Sequence, residues 1–118
     1  MHILLTGADG FTGRHFAEAA QNAGHQITAL TANLTDKAAV AQQVCQTQPD
    51  AVVHLAAISF VGSADEAAFY AVNVVGTMNL LRALAVLARP PAKVLVASSA
   101  NIYGNCDSSP ITEDQTPA

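Results

Sequence analysis

Short apolar runs alternate along the chain with longer segments in which apolar residues recur every three or four positions. The short runs predict β-strands, and the longer segments predict amphipathic α-helices. The predicted strands cover residues 1–5, 25–30, 51–56 and 93–97. The predicted helices cover residues 12–23, 37–47 and 64–87, and the tail 105–118 is predicted to be irregular. This alternation, with right-handed crossovers, predicts an α/β fold built on a doubly wound parallel sheet.

Residues that favour helix ends support these boundaries. Gly24 is typical of the position just after a helix, Asp36 of an N-cap, and Pro49 of the region beyond a helix end. The longest helix is expected to bend near Gly76. The third strand is apolar throughout, which is typical of a strand buried on both faces of a parallel sheet. On the first helix, one buried face is predicted to comprise Phe16, Ala19, Ala20 and Ala23.

The composition is that of a folded domain with a sizeable core. Of the 118 residues, 51% are hydrophobic and 12% are charged, which disfavours disorder and indicates one domain or part of one. A net charge of −4 with only five lysines and arginines argues against a surface for nucleic acid or anionic membrane. The apolar stretch 80–88 is too short to span a bilayer and contains Arg82.

The cysteines and histidines predict no disulfide and no metal site. Cys45 and Cys106 lie far apart and form no Cys-x-x-Cys motif, so reduced thiols are expected. His54 stands alone in an apolar strand and is interpreted as a core histidine with hydrogen-bonded ring nitrogens, and the other histidines lack metal-ligand spacing. Because the first strand begins at Met1, no signal peptide is expected, and the protein is expected to be cytoplasmic.

Three glycines separate the first strand from the first helix, namely Gly7, Gly10 and Gly13. Gly7 permits a tight turn, Gly10 lets a ligand approach the backbone, and Gly13 lets the helix pack close to the strand. The start of the helix adds unpaired N–H groups and the positive end of its dipole. A strand, a glycine-rich turn and a helix in this order predict a site for the diphosphate of a dinucleotide. The alternative is an ordinary turn in another α/β protein.

The spacing of these glycines is distinctive because they lie three residues apart. Residues 6–13, Thr-Gly-Ala-Asp-Gly-Phe-Thr-Gly, resemble the extended short-chain dehydrogenase/reductase family of the NAD-dependent epimerase/dehydratase type. Members of that family act largely on nucleotide-linked sugars. The resemblance extends from Met1 to about Pro117 and implies a Rossmann-like sheet.

Four further segments resemble the same family. Residues 33–36 resemble the turn beside the adenine, with Asn33 where the family usually has an acid, and a simple Asx turn is the alternative. Residues 54–62 resemble the strand end beside the ribose and diphosphate. Residues 72–77 resemble a helix signature in which Asn73 would brace the backbone of a neighbouring strand. Together these resemblances imply cofactor contacts at Gly7, Gly10, Phe11, Thr12, Gly13, Arg14, Asn33, Leu34, Leu55, Ala56, Ala57, Ser59, Val72, Ala97 and Ser98.

The fourth segment, residues 97–104, resembles the end of the strand beneath the nicotinamide. The family's catalytic serine or threonine corresponds to Ser99, whose hydroxyl would hydrogen-bond the reacting substrate oxygen. The family's Tyr-x-x-x-Lys pair does not occur in the sequence, and the fourth strand would leave an exposed apolar edge. Residues 1–118 are therefore expected to be the N-terminal part of a dinucleotide-binding domain, without the catalytic tyrosine helix and the substrate-binding region, and inactive alone.

Two further segments indicate which reaction of the family to expect. Dehydratases of this family follow their catalytic residue with Asp-Glu, whereas Ala100 and Asn101 cannot act as general acid or base. Residues 30–33 resemble the shortened second-strand region of GDP-4-keto-6-deoxymannose reductases. The resemblance therefore favours a nucleotide-sugar 4-keto reductase over a 4-epimerase, with a non-catalytic dinucleotide-binding module as a third alternative.

The expected cofactor is NAD or NADP. Residues 30–32 contain no acid for a ribose 2′-hydroxyl, and Arg14 is a better candidate than Lys37 for a 2′-phosphate, which slightly favours NADP. The expected partners are a nucleotide-sugar substrate and a second copy of the protein. The helix 64–87 is apolar around much of its circumference, and in the family this helix packs against its twin in a dimer.

Overall fold

A four-stranded parallel sheet forms the centre of the computed structural model, which describes residues 1–57 and 65–118. Its strands are β1 (His2–Thr6), β2 (Gln26–Ala29), β3 (Ala51–His54) and β4 (Lys93–Val96). Their order across the sheet is β2-β1-β3-β4, and every neighbouring pair is parallel. In the register, Leu4 is paired with Thr28 on one side and Val52 on the other, and Val52 is paired with Val94. The predicted α/β fold with a Rossmann-like parallel sheet is confirmed.

Helices connect the strands as the hydrophobic pattern predicts. They are α1 (Phe11–Asn22), α2 (Lys37–Thr47), α3 (Glu66–Tyr70), a π-helical segment (Ala71–Gly76), α4 (Thr77–Ala85) and a short 3₁₀ segment (Ala100–Tyr103). The predicted N-cap of α2 is confirmed, since the Asp36 carboxylate accepts a hydrogen bond from the Ala39 N–H at 3.1 Å. Gly24 follows α1 with φ of +90°, the conformation expected after a helix end.

The two faces of the sheet bury separate hydrophobic clusters. On one face, Leu4 and Val52 pack against α2 and α4. On the other face, Ile3, Leu5 and Val53 pack beside α1. Apolar side chains of the two layers of helices complete these clusters, among them Val40, Val44, Leu80, Ala83 and Leu84 on the first face and Phe16 and Ala17 on the second.

The buried face of α1 differs from the predicted one. Ala20 is buried and Phe16 is half-buried as expected, but Ala19 and Ala23 are exposed, and Ala17 packs on the sheet instead. The difference follows from Gly13, which is buried against the backbone of the preceding turn. This contact turns the helix so that the positions following Gly13 at intervals of three or four face the sheet.

The long helical stretch after β3 has a π-helical segment, Ala71–Gly76, in place of the predicted bend near Gly76. A Cβ on Gly76 would lie 2.9 Å from the Leu34 Cβ, so the glycine allows this helix to approach the loop before α2. The whole stretch, Glu66–Ala85, is long and apolar enough to cross a membrane by length and composition. Leu80 and Leu84 lie in the hydrophobic core, however, which is typical of a core helix of a folded domain.

The edge strand β4 is exposed along its whole length, as the sequence predicts. Leu95 is 55% exposed to solvent, and Val94 and Val96 are also exposed. The apolar edge therefore lies open in the part of the chain that the structure describes.

Candidate functional site

Three segments meet at the carboxyl-terminal edge of the parallel sheet. The turn between β1 and α1 contains Gly7, Gly10 and Gly13, while Leu55–Ala57 follows β3 and Ala97–Ser99 follows β4. In open parallel sheets, ligands bind at this edge. A cavity of about 430 Å³ opens here, lined by His54, Leu55, Ala56, Ala57, Phe69, Asn73, Thr77, Val96, Ala97, Ser98, Ser99 and Asn101.

The three glycines of the turn are not equivalent. Gly7 has φ of +73°, and a Cβ there would lie 2.9 Å from the Ala56 nitrogen. A Cβ on Gly13 would lie only 1.9 Å from the Gly7 carbonyl oxygen. The fold itself therefore requires these two glycines. Gly10 has φ of −77°, and the nearest atom to its Cβ position is 3.4 Å away, so no close contact in the fold excludes a side chain there.

The start of α1 offers backbone donors at this turn. The first intrahelical hydrogen bond runs from the Arg14 N–H to the Gly10 carbonyl, so the N–H groups of Phe11, Thr12 and Gly13 precede the hydrogen-bonded helix. Gly10 is the N-cap, with no side-chain cap, and the first turn contains no acidic residue. The turn thus presents N–H groups and the positive end of the helix dipole, an arrangement that binds phosphate oxygens.

Two exposed side chains flank the turn. The Arg14 Nε donates a hydrogen bond to the Asp9 carbonyl at 2.9 Å and so supports the turn. Phe11 is 81% exposed, with its ring edge-on to the His15 ring at a centroid distance of 4.6 Å. Phe11, Thr12 and Arg14 therefore lie where a ligand of the turn could reach them.

Ser99 lies at the cavity and begins the 3₁₀ segment. Its Oγ accepts a hydrogen bond from the Asn101 N–H at 3.2 Å. Because that oxygen already accepts an amide proton, the hydroxyl proton can be donated to a ligand in the cavity. No residue among those that line this cavity carries a charge at neutral pH, provided that His54 is neutral. An uncharged cavity with the Ser99 hydroxyl beside it suits a ligand that has a neutral ring.

His54 is buried and hydrogen-bonded, which confirms its interpretation as a core histidine. The ring Nδ1 lies 2.6 Å from the Thr6 Oγ1, and Nε2 lies 2.8 Å from the Thr77 Oγ1. Burial lowers the pKa of His54 below its ordinary value, because desolvation disfavours the charged ring. Within residues 1–57 and 65–118, no group of three His, Cys, Asp or Glu side chains could hold a metal ion, and Cys45 and Cys106 are both free thiols.

The loop before α2 contains the two residues predicted to lie beside the adenine. Asn33 is exposed, and its Oδ1 accepts hydrogen bonds from the Thr35 N–H at 3.0 Å and the Thr35 hydroxyl at 2.8 Å. This is the Asx turn that the sequence leaves as an alternative, and it uses the same oxygen that would meet an adenine amino group. Leu34 is buried in the core, so a cofactor contact at this position would involve its backbone.

A buried asparagine that the sequence analysis missed holds this loop in place. The Asn79 Nδ2 donates a hydrogen bond to the Leu34 carbonyl at 2.8 Å. Asn79 thus braces the loop before α2. Asn73 lines the cavity, and its predicted brace on a neighbouring strand stays a prediction. The position of Asn79, three residues after Gly76 on the same helix face, is the signal that could have identified it.

The end of β2 contains no charged group for the cofactor's 2′ position. The Gln43 Oε1 accepts hydrogen bonds from the Thr31 and Ala32 N–H groups, both at 2.9 Å, and its Nε2 donates to the Ala29 carbonyl. A cavity of about 320 Å³ beside these residues is lined by Thr31, Ala32, Ala39, Gln42, Gln43 and Gln46. It offers neither an acid for a ribose hydroxyl nor a cation for a phosphate.

Two predicted contacts are less well defined. Ser59 lies outside the described residues. Val72 is half-buried in the π-helical segment, and its predicted contact with a cofactor stays a prediction. The other predicted positions, from Gly7 to Arg14, Leu55 to Ala57 and Ala97 to Ser99, lie on the three segments that meet at the same edge of the sheet.

Comparison with known proteins identifies the family of this chain. The model of the NAD dependent epimerase/dehydratase family matches residues 3–118. The chain is 35% identical to GDP-6-deoxy-D-talose 4-dehydrogenase of Aggregatibacter actinomycetemcomitans, covering 99% of this chain and 42% of that enzyme. A solved structure of a putative epimerase from Burkholderia cenocepacia is 42% identical with a TM-score of 0.84, covering 99% of this chain and 43% of the other.

A third relative was solved with a cofactor. The UDP-glucose 4-epimerase of Thermus thermophilus, in complex with NAD, is 26% identical with a TM-score of 0.82, covering 100% of this chain and 44% of that one. The chain thus spans less than half of the length of each of these relatives.

Proposed function

This chain belongs to the NAD dependent epimerase/dehydratase family, and from that premise we propose that it is the NAD-binding part of a nucleotide-sugar 4-keto reductase. One observation carries the proposal: the glycine turn and Ser99 lie at the same sheet edge, beside an uncharged cavity of about 430 Å³. A dinucleotide needs a donor-rich site for its diphosphate and a neutral site for its reactive ring. Both lie within this edge.

The residues present fit NAD. Gly10 leaves open the space that a Cβ would fill, next to the N–H groups of Phe11 and Thr12, which would hold the diphosphate. Bound in its reduced form, NAD supplies the hydride for carbonyl reduction. The Thermus thermophilus relative, solved with NAD, supports the choice of cofactor. The preference for NADP rests on the lack of an acid in residues 30–32 and on Arg14, whose Nε supports the turn. A direct comparison of NAD and NADP affinities tests this preference.

Ser99 would act on the substrate side of the cavity. Its hydroxyl proton can be donated to the oxygen at C4 of the sugar, where negative charge develops as the carbonyl is reduced. That oxygen also has to gain a proton, and the family resemblance assigns this proton to a tyrosine of a Tyr-x-x-x-Lys pair, which these 118 residues lack. The chain alone would therefore orient the substrate oxygen without completing the reaction.

Reaction at C4 of the sugar is supported by the relative that is a GDP-6-deoxy-D-talose 4-dehydrogenase. Oxidation and reduction at C4 are the two directions of one reaction. Dehydration is disfavoured because Ala100 and Asn101, next to Ser99, cannot protonate or deprotonate a substrate. The second candidate is a nucleotide-sugar 4-epimerase, favoured by the Thermus thermophilus relative. A reductase consumes reduced cofactor in each turnover, whereas an epimerase regenerates it.

An absorbance assay at the reduced-nicotinamide band tests the proposal. We expect the full-length protein to consume reduced cofactor with a nucleotide-linked 4-keto sugar. Sugar interconversion without net cofactor consumption would instead identify the epimerase. NAD binding without either reaction would identify a non-catalytic module and overturn the reductase.

The 118-residue chain by itself is expected to show no turnover in the same assay. General acid catalysis contributes roughly 10²–10⁴-fold, and its proton donor is not in this sequence. Turnover by the purified chain would show that the catalytic acid lies within residues 1–118.

We expect the full-length protein to form a homodimer through the helical stretch Glu66–Ala85. Its exposed surface carries Tyr70, Val74, Val75, Met78 and Leu81, an apolar stripe larger than packing on one sheet face requires. Sedimentation at micromolar concentration should give a dimer, and Leu81→Glu should give a monomer. Ala19→Glu, on the exposed face of α1, is the control and should remain dimeric. A monomeric wild-type protein would contradict the assignment.

A further inference from the structure

Three polar side chains from three elements form a hydrogen-bonded chain beneath the candidate site. Thr6 ends β1, His54 ends β3, and Thr77 begins α4. The His54 ring lies between the two hydroxyl groups, with Nδ1 2.6 Å from Thr6 and Nε2 2.8 Å from Thr77. Thr6 and His54 are buried, with 1% and 4% exposure, and Thr77 is half-buried at the cavity.

The direction of each hydrogen bond in this chain can be assigned. The Thr77 hydroxyl donates to the Asn73 carbonyl at 2.8 Å, so its oxygen accepts the proton from His54 Nε2. On the other side, the Thr6 Oγ1 accepts from the Leu55 and Ala56 N–H groups at 3.1 and 3.0 Å, which leaves its own proton for His54 Nδ1. His54 is therefore neutral, with its proton on Nε2.

The hydrogen-bonded series Thr6–His54–Thr77 connects the two parts of the candidate site. Thr6 precedes Gly7, and the backbone of Gly7 lies against that of Leu55 and Ala56. The Thr6 oxygen fixes the same two residues by accepting their N–H groups. At the other end, the chain reaches the π-helical segment, whose Asn73 lines the cavity. The glycine turn and the cavity wall are thus held through a single imidazole.

We infer that His54 is a positioning residue for the dinucleotide: its neutral Nε2–H tautomer holds the glycine turn, the segment after β3 and the helical wall of the cavity in fixed relation. This role rests on the proposed NAD binding. It does not require His54 to touch the cofactor, because the ring acts through Thr6 and Thr77. The role extends the prediction of a core histidine, since the buried ring joins the elements that would bind the cofactor.

Protonation of His54 would disrupt the hydrogen bonds between Thr6, His54 and Thr77. A proton on Nδ1 would face the Thr6 oxygen, which already accepts two N–H groups and whose own proton would lose its acceptor. The sheet neighbours of His54 are Thr6 and Val96, and the helix contributes Thr77, none of which is charged. Burial alone lowers the pKa of His54.

The pH dependence of folding stability follows from the lowered pKa of His54. Because the pKa is lower in the folded protein than in the unfolded chain, the stabilisation from neutral His54 is complete above about pH 6.5 and is lost as the pH falls through the lower folded pKa. We expect the NAD affinity of the wild-type protein to fall as the pH drops through the folded pKa of His54, which lies below its ordinary value. His54→Gln, which has no imidazole to protonate, should lose this component of the pH profile.

The test compares NAD affinity by calorimetry in matched variants of the full-length protein, with unfolding measured alongside. Thr77→Val keeps the side-chain shape without the hydroxyl and should weaken NAD binding about fivefold, the effect of one lost hydrogen bond. Thr77→Ser restores the hydroxyl and should restore the affinity. His25→Gln is the control, because His25 lies near the N-terminal amine, away from the site, and should leave the affinity and its pH profile unchanged.

A second measurement does not depend on any variant folding. Nitrogen-15 NMR of the wild-type protein at neutral pH should show His54 with its proton on Nε2, and a proton on Nδ1 would overturn the assignment. Wild-type affinity in folded Thr77→Val and an unaltered pH profile in folded His54→Gln would overturn the positioning role alone. Absence of NAD binding by the wild-type protein would instead overturn the proposed function, and this role with it.

Discussion

Gly10→Val is expected to abolish most NAD binding while the protein remains folded. The nearest atom to a Cβ at this position is the Gly7 carbonyl oxygen at 3.4 Å, and φ of −77° is open to any residue. The side chain would occupy the space beside the N–H groups that are proposed to hold the diphosphate. Loss of two charge-assisted hydrogen bonds corresponds to a weakening of about 100-fold or more. Calorimetric titration measures the affinity, and circular dichroism confirms the fold.

The other glycines of the turn provide the contrast. Gly13→Ala places a methyl group 1.9 Å from the Gly7 carbonyl oxygen, so it should destabilise the protein as well as remove binding. Ala19→Val, on the exposed face of α1, should change neither. Wild-type NAD affinity in a folded Gly10→Val protein would exclude the turn as the diphosphate site.

Ser99→Ala in the full-length protein is expected to lower kcat about 10²–10³-fold, the effect of removing one donor to a developing oxyanion. KM should change little, because the hydroxyl matters most where negative charge develops on the substrate oxygen. Ser99→Thr keeps a hydroxyl at the same position and should retain much of the activity. The measurement is a steady-state analysis with a nucleotide-linked 4-keto sugar and the reduced cofactor.

An increase in KM with unchanged kcat would mean that Ser99 only binds the substrate. A similar loss in both Ser99→Ala and Ser99→Thr would point to a structural role in the 3₁₀ segment, where the Ser99 Oγ accepts the Asn101 N–H. NAD affinity of the apoenzyme serves as the internal control, since the glycine turn is untouched by either substitution.

The sequence predicts features that depend on neighbouring residues. The α2 helix begins after Asp36 and ends before Pro49, as these two residues predict, because the signals for both ends lie within a few residues of them. The turn between β1 and α1 is predicted by its own glycines. Such local signals are sufficient to predict the fold class, and they place the candidate site at one edge of the sheet.

Features that depend on distant contacts were not predictable in this way. The face of α1 includes Ala17 rather than Ala19 because Gly13 packs on the Gly7 backbone. The sequence motif does distinguish Gly10 from Gly13, but only the structure shows that the atom excluding a Cβ at Gly13 is the Gly7 carbonyl oxygen. Likewise, the sequence analysis did not identify Asn79, because only the packed helix shows that this side chain reaches the Leu34 carbonyl.

The most direct test of the account is a crystal structure of the full-length protein with NAD. The account predicts the diphosphate within hydrogen-bonding distance of the Phe11 and Thr12 N–H groups, and the nicotinamide ring in the cavity beside Ser99. Density for NAD at any other position, with the glycine turn and this cavity empty, would contradict it.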